Sequence, residues 1–209
     1  MKALLSTAYW PNLHYFFYVL NAQTVTIEQF ENYQKQSYRN RTRIFTANGP
    51  LDLSIPVTKR ADKELTKDIK ISYSENWQIR HWRAITSAYN NSPYFDFFED
   101  DIRYFYTSKF ESLLNYNTEQ LKLVLKLLRH QKNIELTTCF EMPADPMYED
   151  LRSSIHPKIS FKKDGLVKER LEISYYQTFE NKFDFCGNLS VLDLLFNKGL
   201  DTTGYLALK

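Results

Sequence analysis

The chain has 209 residues, of which 43% are hydrophobic and 16% are aromatic. That much apolar surface can form a sizeable core, so the composition excludes a disordered protein and predicts one globular domain over residues 1–209. Its 27 basic side chains nearly balance its 25 acidic ones, giving a formal net charge of +2. The chain therefore has no overall field that would attract nucleic acid or an anionic membrane, and any attraction for anions has to be local.

The N-terminus and the cysteines bear on where the protein resides. The N-terminal apolar run is short and ends at Pro11, too short for a signal peptide or a membrane span. Cys139 and Cys186 lie far apart and outside any CxxC or Cys/His cluster, which indicates two buried thiols in a reducing compartment. We expect a cytoplasmic protein with no membrane partner.

The chain opens with the pattern of a βαβ unit. Residues 3–8 are a compact apolar run that predicts a strand, and the β-branched residues 24–27 predict a second one. Between them, residues 12–22 repeat apolar side chains at the i, i+3, i+4, i+7 spacing of a helix with one buried face. Two parallel strands with a right-handed crossover are expected.

Residues 28–44 form a long polar stretch. They contain two carboxylates and four cations, have no Gly or Pro, and follow neither a helical nor a strand period. We interpret them as a long ordered loop that cannot be core. Because long ordered loops are usually functional, this loop is where we expect the site.

A β-hairpin and a further strand follow the loop. Residues 43–47 and the alternating residues 51–57 flank Asn48-Gly49, which favours a tight turn because both residues tolerate positive φ. The charged residues 59–67 are expected to form an exposed connection, and the alternation over residues 69–73 predicts another strand. The sheet part of the chain, up to residue 73, is therefore expected to be mixed.

The second half of the chain is predicted to be helical and then irregular. Over residues 75–131, three apolar stripes predict three helices, with Asn117 and Gln120 as a capping pair for the third. Residues 141–187 contain three prolines and no sustained period, which predicts an irregular surface excursion. A closing helix is expected over residues 188–199.

The closing helix has a signal at each end. Asn188 is its predicted N-cap and Gly199 its predicted C′ glycine. Together these elements predict an α/β fold in which a βαβ start leads into a mixed sheet that packs against the C-terminal helices in a single domain.

Three residues are candidates for acid/base chemistry. His14, at the start of the first predicted helix, and Glu28 are candidates for a base and the carboxylate that orients it; the alternative for His14 is an ordinary hydrogen-bonded histidine. His81 lies on an apolar helical stripe and is either a catalytic base or a core-facing imidazole. The four histidines show no metal-ligand spacing, so no metal site is predicted.

The polar loop carries the candidates for ligand binding. In an extended chain, Arg39, Arg41 and Arg43 present guanidinium groups on one side, an arrangement that suits phosphate or carboxylate. Neighbouring tyrosines could stack on a base or a sugar. The predicted anion-binding surface, with two tyrosines on its rim, consists of Lys35, Arg39, Asn40, Arg41, Tyr9 and Tyr33.

Two structural alternatives stay open for this surface. It could be a charged, solvated strand edge, or a salt-bridge network in which the arginines pair with Glu28 and Glu31. If it binds a ligand, we expect an anionic small molecule, either a nucleotide sugar or a sugar phosphate. The chain has no Walker or dinucleotide glycine fingerprint, so no cofactor is assigned and side chains would have to hold a nucleotide.

Several short motifs occur in one order along the chain. They are Tyr9-x-Pro11, Tyr15-Phe16, Lys35, Arg39-Asn40-Arg41, Ile44, Leu53-Ser54-Ile55-Pro56-Val57, Trp77, His81-Trp82 and Ser92-Pro93-Tyr94-Phe95. With them the chain resembles the WbqC-like family of bacterial proteins over nearly its whole length. The tail, Tyr175-Tyr176-Gln177 followed by residues 188–197, resembles the variant of the Bacteroidetes branch. Ser6, Asn12 and His14 stand where the broader family often has Gln, Trp and Gly.

The resemblance implies a genomic context but no particular reaction, since family members are often encoded among surface-polysaccharide biosynthesis genes. Three functions remain open. The first is a transferase of surface-polysaccharide or aminosugar biosynthesis that acts on a nucleotide-activated sugar. The second is a non-catalytic module that binds a nucleotide sugar or a sugar phosphate. The third is an RNA-binding protein, which the near-neutral charge and the lack of an RNP-like or KH-like motif make unfavourable. The oligomeric state is not predicted.

Overall fold

The computed structural model describes residues 1–58, 63–142 and 147–208, so parts of the predicted connection 59–67 and of the predicted excursion 141–187 lie outside the described residues. In chain order the strands and helices are β1 (Lys2–Ser6), α1 (Leu13–Asn21), β2 (Thr24–Glu28), β3 (Arg41–Thr46), β4 (Gly49–Ser54), α2 (Trp77–Tyr89), α3 (Phe95–Thr107), α4 (Leu113–Leu127), β5 (Ile134–Leu136), β6 (Glu149–Asp150), α5 (Gly165–Leu171), α6 (Val191–Lys198) and α7 (Thr202–Leu206).

A four-stranded parallel sheet organises the fold, with its strands in the order β5-β2-β1-β6. β1 and β2 pair in parallel from Lys2 with Thr24 to Ser6 with Glu28, and α1 connects them, so the predicted βαβ start is confirmed. β6 pairs with the other side of β1, so the strand order reverses at β1. Crevices at such reversal points are where open α/β sheets bind ligands.

The hairpin of β3 and β4 forms a second, antiparallel sheet. Parallel and antiparallel pairing both occur, and the α/β class is confirmed. Within the described ranges, however, the two kinds of pairing belong to two separate sheets rather than to the one mixed sheet that was expected. The turn residues are Ala47 and Asn48, one position earlier than expected, and Gly49 takes the positive φ of 94°. A glycine tolerates that conformation because it has no Cβ.

The strand predicted over residues 69–73 does not form. Ile71 makes an isolated bridge to Val57, and Lys70 makes one to Ser112. The alternation of apolar residues is real, because Ile69 and Ile71 are both buried, but the segment is held by single contacts to two different parts of the chain.

Three helices, α2, α3 and α4, cover the region where apolar stripes predicted them. The N-cap of α4 is Ser112, whose Oγ accepts a hydrogen bond from the Asn115 amide at 3.2 Å. Asn117 and Gln120 lie inside α4 and are buried, so the predicted capping pair is wrong.

Asn117 and Gln120 tie two loops to α4 instead. Asn117 Nδ2 donates to the carbonyl of Arg39 at 2.7 Å and to Thr7 Oγ1 at 3.1 Å. Gln120 Oε1 accepts a hydrogen bond from the Trp10 amide at 3.3 Å. Polar side chains on the buried face of α4 therefore fix the loop after β1 and the loop before β3.

The prediction of a surface excursion over residues 141–187 is wrong for much of that segment. It contains β6 and α5, and Leu151, Val167, Leu171 and Tyr175 are buried in the core. β6 has two residues and α5 has seven, lengths at which a hydrophobic period gives little signal.

The closing helix α6 is confirmed, and Gly199 ends it with a φ of 57°. Its N-cap is Ser190, whose Oγ accepts from the Leu192 amide at 3.3 Å, so the prediction of Asn188 as the cap is wrong. Asn188 has a φ of 57°, and its Oδ1 accepts from the His14 amide at 2.8 Å.

α6 also carries a buried carboxylate, Asp193, which forms no ion pair in the described part of the chain. Its oxygens accept hydrogen bonds from the Tyr89 hydroxyl (2.9 Å), the Tyr175 hydroxyl and Gln177 Nε2 (3.1 Å). Burial raises the Asp193 pKa to about 6, although the three hydrogen bonds lower it in part. The stability of the fold should therefore depend on the protonation of this side chain.

We expect the contribution of Asp193 to stability to fall as the pH rises. Because the folded pKa of about 6 lies above the ordinary value of 3.8, the contribution is full below the unfolded pKa and is lost as the pH rises through the folded pKa. Relative to Asp193→Asn, the wild type should lose roughly 2 kcal/mol of unfolding free energy between about pH 4.5 and about pH 7.5. Urea unfolding at both pH values measures this, and a constant difference between the two proteins would contradict it.

Two further expectations concern the thiols and membranes. Cys139 and Cys186 are both free; Cys186 is half-buried but Cys139 is exposed, so the expectation of two buried thiols is wrong for Cys139. Within the described ranges, no helix has the length and apolar character needed to cross a membrane.

Candidate functional site

A groove of about 630 Å³ lies beside β6, between α1 and the start of α5. Its polar lining includes His14, Tyr18, Glu149, Asp150, Ser154 and Asp164. Leu151 and Ile159 add apolar surface. Its volume lies within the range of pockets that bind small molecules, and several polar groups converge on it.

His14 and Asp164 form a hydrogen-bonded pair in the wall of this groove. His14 Nε2 lies 2.9 Å from Asp164 Oδ2, and the same oxygen accepts from the Tyr18 hydroxyl at 2.7 Å. Because an ionised carboxylate can only accept, the ring proton is on Nε2 and Nδ1 is the basic nitrogen. A carboxylate that fixes the tautomer of a histidine in this way is a common feature of catalytic bases.

Separate parts of the chain hold the pair in position. Asp164 caps α5, because its Oδ1 accepts from the amides of Leu166 (3.0 Å) and Val167 (3.3 Å), and this leaves Oδ2 to bind His14. His14 lies in the first turn of α1, where Asn188 Oδ1 accepts a hydrogen bond from its amide. The pair is therefore fixed by the ends of two helices and by the loop before α6.

The protonation states of the pair follow from burial and hydrogen bonding. Burial lowers the pKa of His14, and the hydrogen bond and charge of Asp164 offset this only in part. Burial raises the pKa of Asp164, but hydrogen bonds from Tyr18 and His14 outweigh burial, so its pKa is lowered on balance. Burial and the hydrogen bond to Asp164 raise the pKa of Tyr18, which remains a donor. At neutral pH a neutral imidazole thus faces an ionised carboxylate, and His14 can accept a proton.

The groove is acidic. Glu149, Asp150 and Asp164 line it, and Lys163 is the cation among the described lining residues. Arg152 engages Asp150 through Nη2 at 2.7 Å and Nε at 2.9 Å, which leaves Glu149 and Asp164 as the main sources of negative charge. Such a groove suits a neutral or amine-bearing ligand better than an anionic one. Over the residues that the structure describes, no group of three or more His, Cys, Asp or Glu is placed to hold a metal ion.

The prediction that Glu28 orients His14 is wrong, because Asp164 does so. The carboxylate of Glu28 is fully buried and accepts from Arg152 Nη1 (3.0 Å), from Thr137 Oγ1 (2.9 Å) and from two backbone amides at 2.8 Å. Thr137 follows β5 and Arg152 follows β6, so Glu28 joins the carboxyl ends of three strands of the parallel sheet.

His81 lies in the core and is 6% exposed. Its Nδ1 is 3.0 Å from the Tyr9 hydroxyl, which lies 2.8 Å from the Tyr106 hydroxyl, and the ring of Trp77 packs against it edge-on. Burial, and to a smaller extent the charge of Arg80, lower the pKa of His81 to about 4. These surroundings of His81 match the alternative of a core-facing imidazole.

Arg39 is not part of an open surface. It is 2% exposed, and its Nε and Nη2 donate to Glu31 at 2.8 and 2.6 Å, while Nη2 also donates to Ser6 Oγ at 2.7 Å. Tyr9 is fully buried and Tyr33 is 8% exposed, so neither forms an open rim. Around Arg39 the structure therefore matches the salt-bridge alternative, with Glu31 as the partner.

The other predicted binding residues are spread over the loop and the hairpin. Lys35 is exposed, and Asn40 Nδ2 donates to a backbone carbonyl at 2.8 Å. Arg41 lies 3.8 Å from Asp52, which Arg43 binds more closely at 2.6 Å. A row of guanidinium groups is thus reduced to two arginines that share one carboxylate.

His14 is a predicted site residue, but Asp164 and Tyr18 are not among the predicted ones. Asp164 stands directly before a short run with apolar residues at Leu166, Val167 and Leu171, which is a signal for a helix N-cap. Because residues 141–187 were expected to be irregular, no helix was predicted there. No local sequence pattern indicates that His14 pairs with a residue 150 positions later.

The comparison with protein families agrees with the motif resemblance. A family model described as the WbqC-like protein family matches residues 7–205, which include His14, Tyr18 and Asp164. Neither the search of curated proteins nor the search of solved structures gave a match. The assignment to the Bacteroidetes branch stays a prediction. Because the match covers nearly the whole chain, the protein belongs to the WbqC-like protein family.

Proposed function

We propose that the protein is an enzyme that transfers a group from an activated sugar to a hydroxyl or amino group of a second sugar, with the groove beside β6 as the acceptor site. The observation that carries this proposal is the pair of His14 and Asp164, a neutral imidazole held at 2.9 Å by an ionised carboxylate in the wall of a groove of small-molecule size.

In the proposed reaction His14 is the general base. Its Nδ1 takes the proton of the acceptor O–H or N–H while that oxygen or nitrogen bonds to the anomeric carbon of a nucleotide-activated sugar. The bond from that carbon to the phosphate oxygen breaks, and the nucleoside diphosphate leaves with the electron pair. Asp164 stabilises the imidazolium that forms, and Tyr18 holds the carboxylate from its other side. General-base catalysis of this kind contributes roughly 10²- to 10⁴-fold.

The lining of the groove supports an amino or hydroxyl sugar as the acceptor. The carboxylate of Glu149 can accept hydrogen bonds from hydroxyl or ammonium groups, whereas the oxygens of Asp164 are already occupied by four donors. The apolar surface of Leu151 and Ile159 suits the C–H face of a sugar ring. The donor phosphate is anionic and has Lys163 as its available partner at this groove. The polysaccharide setting that the family resemblance implies supports the same substrate class.

The test is turnover by wild type and by His14→Asn. A panel of nucleotide-activated sugars is incubated with aminosugar acceptors, and the released nucleoside diphosphate is measured. We expect His14→Asn to lower kcat/KM at least about a hundredfold. The control is His156→Asn, which removes a histidine that forms no hydrogen bond to a carboxylate in the described chain. Equal turnover by wild type and His14→Asn would reject His14 as the base.

A second candidate function is sugar binding without turnover. His14 is only 3% exposed, and such a buried pair is more typical of a structural role than of an open catalytic site. Thermal-shift measurements with the same sugars distinguish the two functions. Stabilisation by an acceptor without release of a nucleoside diphosphate from any donor would favour the binding module.

A further inference from the structure

A second groove, of about 440 Å³, lies at the other edge of the parallel sheet, where α4 ends and β5 begins. Its basic lining consists of Lys122, Lys126, His130 and Lys132, and Leu125 and Ile134 add apolar surface. Among the residues that the structure describes, no Asp or Glu lines it. In a chain whose basic and acidic residues nearly balance, this is a local concentration of positive charge.

Basic side chains at the end of a helix often serve only to satisfy its last carbonyls. Here the backbone already does so: the His130 amide donates to the carbonyl of Leu125 at 2.9 Å, and the Arg129 amide donates to that of Lys126 at 3.0 Å. Arg129 adopts a φ of 53°, in the position where glycine is usual, which completes this capping motif. The side chains of the groove lysines on α4 are therefore not needed as caps.

The cations of the groove have few carboxylate partners. Lys122 pairs with Glu119 of its own helix at 2.9 Å, and both side chains are exposed. Lys126 forms no ion pair within the described ranges. Lys132 donates to the carbonyls of Leu20 and Ala22 at the end of α1, which fixes its charge in place without neutralising it. Lys126 and Lys132 thus carry positive charges without a carboxylate partner at one cavity, and an anion there would reduce their mutual repulsion.

His130 gives an independent reason for a ligand. Its Nε2 is shielded from solvent and has no hydrogen-bond partner among the described residues. A shielded polar group without a partner is unfavourable, and a rotation of the ring towards the groove would let an anionic oxygen become that partner. Burial lowers the pKa of His130, and the charge of Lys132 lowers it further.

We propose that this groove is a binding site for a phosphate-bearing small molecule, separate from the groove that contains His14. Lysine ammonium groups act as point charges that suit phosphate, whereas carboxylates are more often held by the planar fork of arginine. The volume is that of a small-ligand pocket, and the apolar side formed by Leu125 and Ile134 leaves room for the rest of the molecule.

Calorimetric titration of the full chain with inorganic pyrophosphate tests the site. Wild type should show saturable binding that weakens as NaCl is added, because exposed charges are screened by salt. The double variant Lys122→Gln/Lys126→Gln should bind at least about tenfold more weakly, since each lost charged contact is worth a factor of this order. Lys168→Gln, which removes an exposed lysine on α5, is the matched control and should bind as wild type does.

NMR of the His130 ring and a second anion complete the test. Pyrophosphate should shift the His130 ring signals and raise its pKa, and the other histidines should not respond. Citrate, an anion of comparable charge without phosphate, should bind at least about tenfold more weakly. Absence of saturable binding by wild type, undiminished binding by the double variant, or equal binding of citrate would overturn the proposal. None of these outcomes depends on whether the groove beside β6 is catalytic.

Discussion

Asp164→Asn is expected to lower the proposed turnover by roughly 10²- to 10⁴-fold while changing the unfolding free energy by less than about 1 kcal/mol. The two effects separate because the two oxygens of Asp164 have different tasks. Oδ1 caps α5 through the amides of Leu166 and Val167, and asparagine is as good an N-cap as aspartate. Oδ2 receives the hydrogen bond from His14 Nε2.

The N-cap hydrogen bonds of α5 determine the orientation of the asparagine side chain. Its carbonyl oxygen must accept from the Leu166 amide, so its NH₂ group must face His14 and donate to Nε2. The ring proton then moves to Nδ1, and the nitrogen that should accept a proton from the substrate is already protonated. The base is lost although the side chain occupies almost the same volume.

Two measurements check this prediction. Nitrogen NMR of the His14 ring reports which nitrogen carries the proton, and it needs no knowledge of the substrate. Turnover in the nucleoside diphosphate assay reports the consequence. Asp96→Asn, which neutralises an exposed carboxylate in the first turn of α3, is the control and should change neither. If Asp164→Asn kept the wild-type tautomer and rate, the pair would not act as an oriented base.

Arg39→Ala is expected to lower the unfolding free energy by about 3–5 kcal/mol. Arg39 is 2% exposed and Glu31 is 6% exposed, so the variant would leave a buried carboxylate without its cation. The Ser6 hydroxyl, which donates to Glu31 at 3.2 Å, is too weak a partner to replace the two guanidinium hydrogen bonds. Urea unfolding at neutral pH measures the loss.

Arg41→Ala, two residues later, is the matched control and should lower the unfolding free energy by less than about 1 kcal/mol. Arg41 is about one-third exposed, and Arg43 remains bound to their shared partner Asp52 when Arg41 is removed. The double variant Arg39→Ala/Glu31→Ala should be more stable than Arg39→Ala alone, because it also removes the orphaned charge. Equal losses for Arg39→Ala and Arg41→Ala would show that burial of the pair does not decide its contribution.

The elements that could be read from sequence are those whose signal is local and long enough. α1, α2 and α4 repeat apolar residues over several turns, so their existence follows from one stretch of chain each. β5 and β6 have three and two residues, and neither could be read from its own sequence. They are strands because β2 and β1 offer free edges to pair with, and those edges are made elsewhere in the chain.

Charge in the sequence was a poor guide to exposure. Residues 28–44 contain so many polar groups that they were expected to lie outside the core, yet Glu28, Glu31 and Arg39 are all buried. Isolated charges are excluded from a protein interior, but charges that meet an opposite partner with several hydrogen bonds are not. Which charges meet depends on how β2, β6 and the loop between β2 and β3 come together.

The amino-acid sequence alone predicts the family, the βαβ start, the helices of the second half and His14 as a candidate site residue, because motifs and hydrophobic periods are properties of short segments. The tertiary structure decided what His14 does. It brought Asp164 to Nε2 across 150 residues, gave Glu28 to Arg152 and buried Arg39 against Glu31. Such pairings depend on distances between segments that are set by packing of the whole core, and no local pattern of residues encodes them.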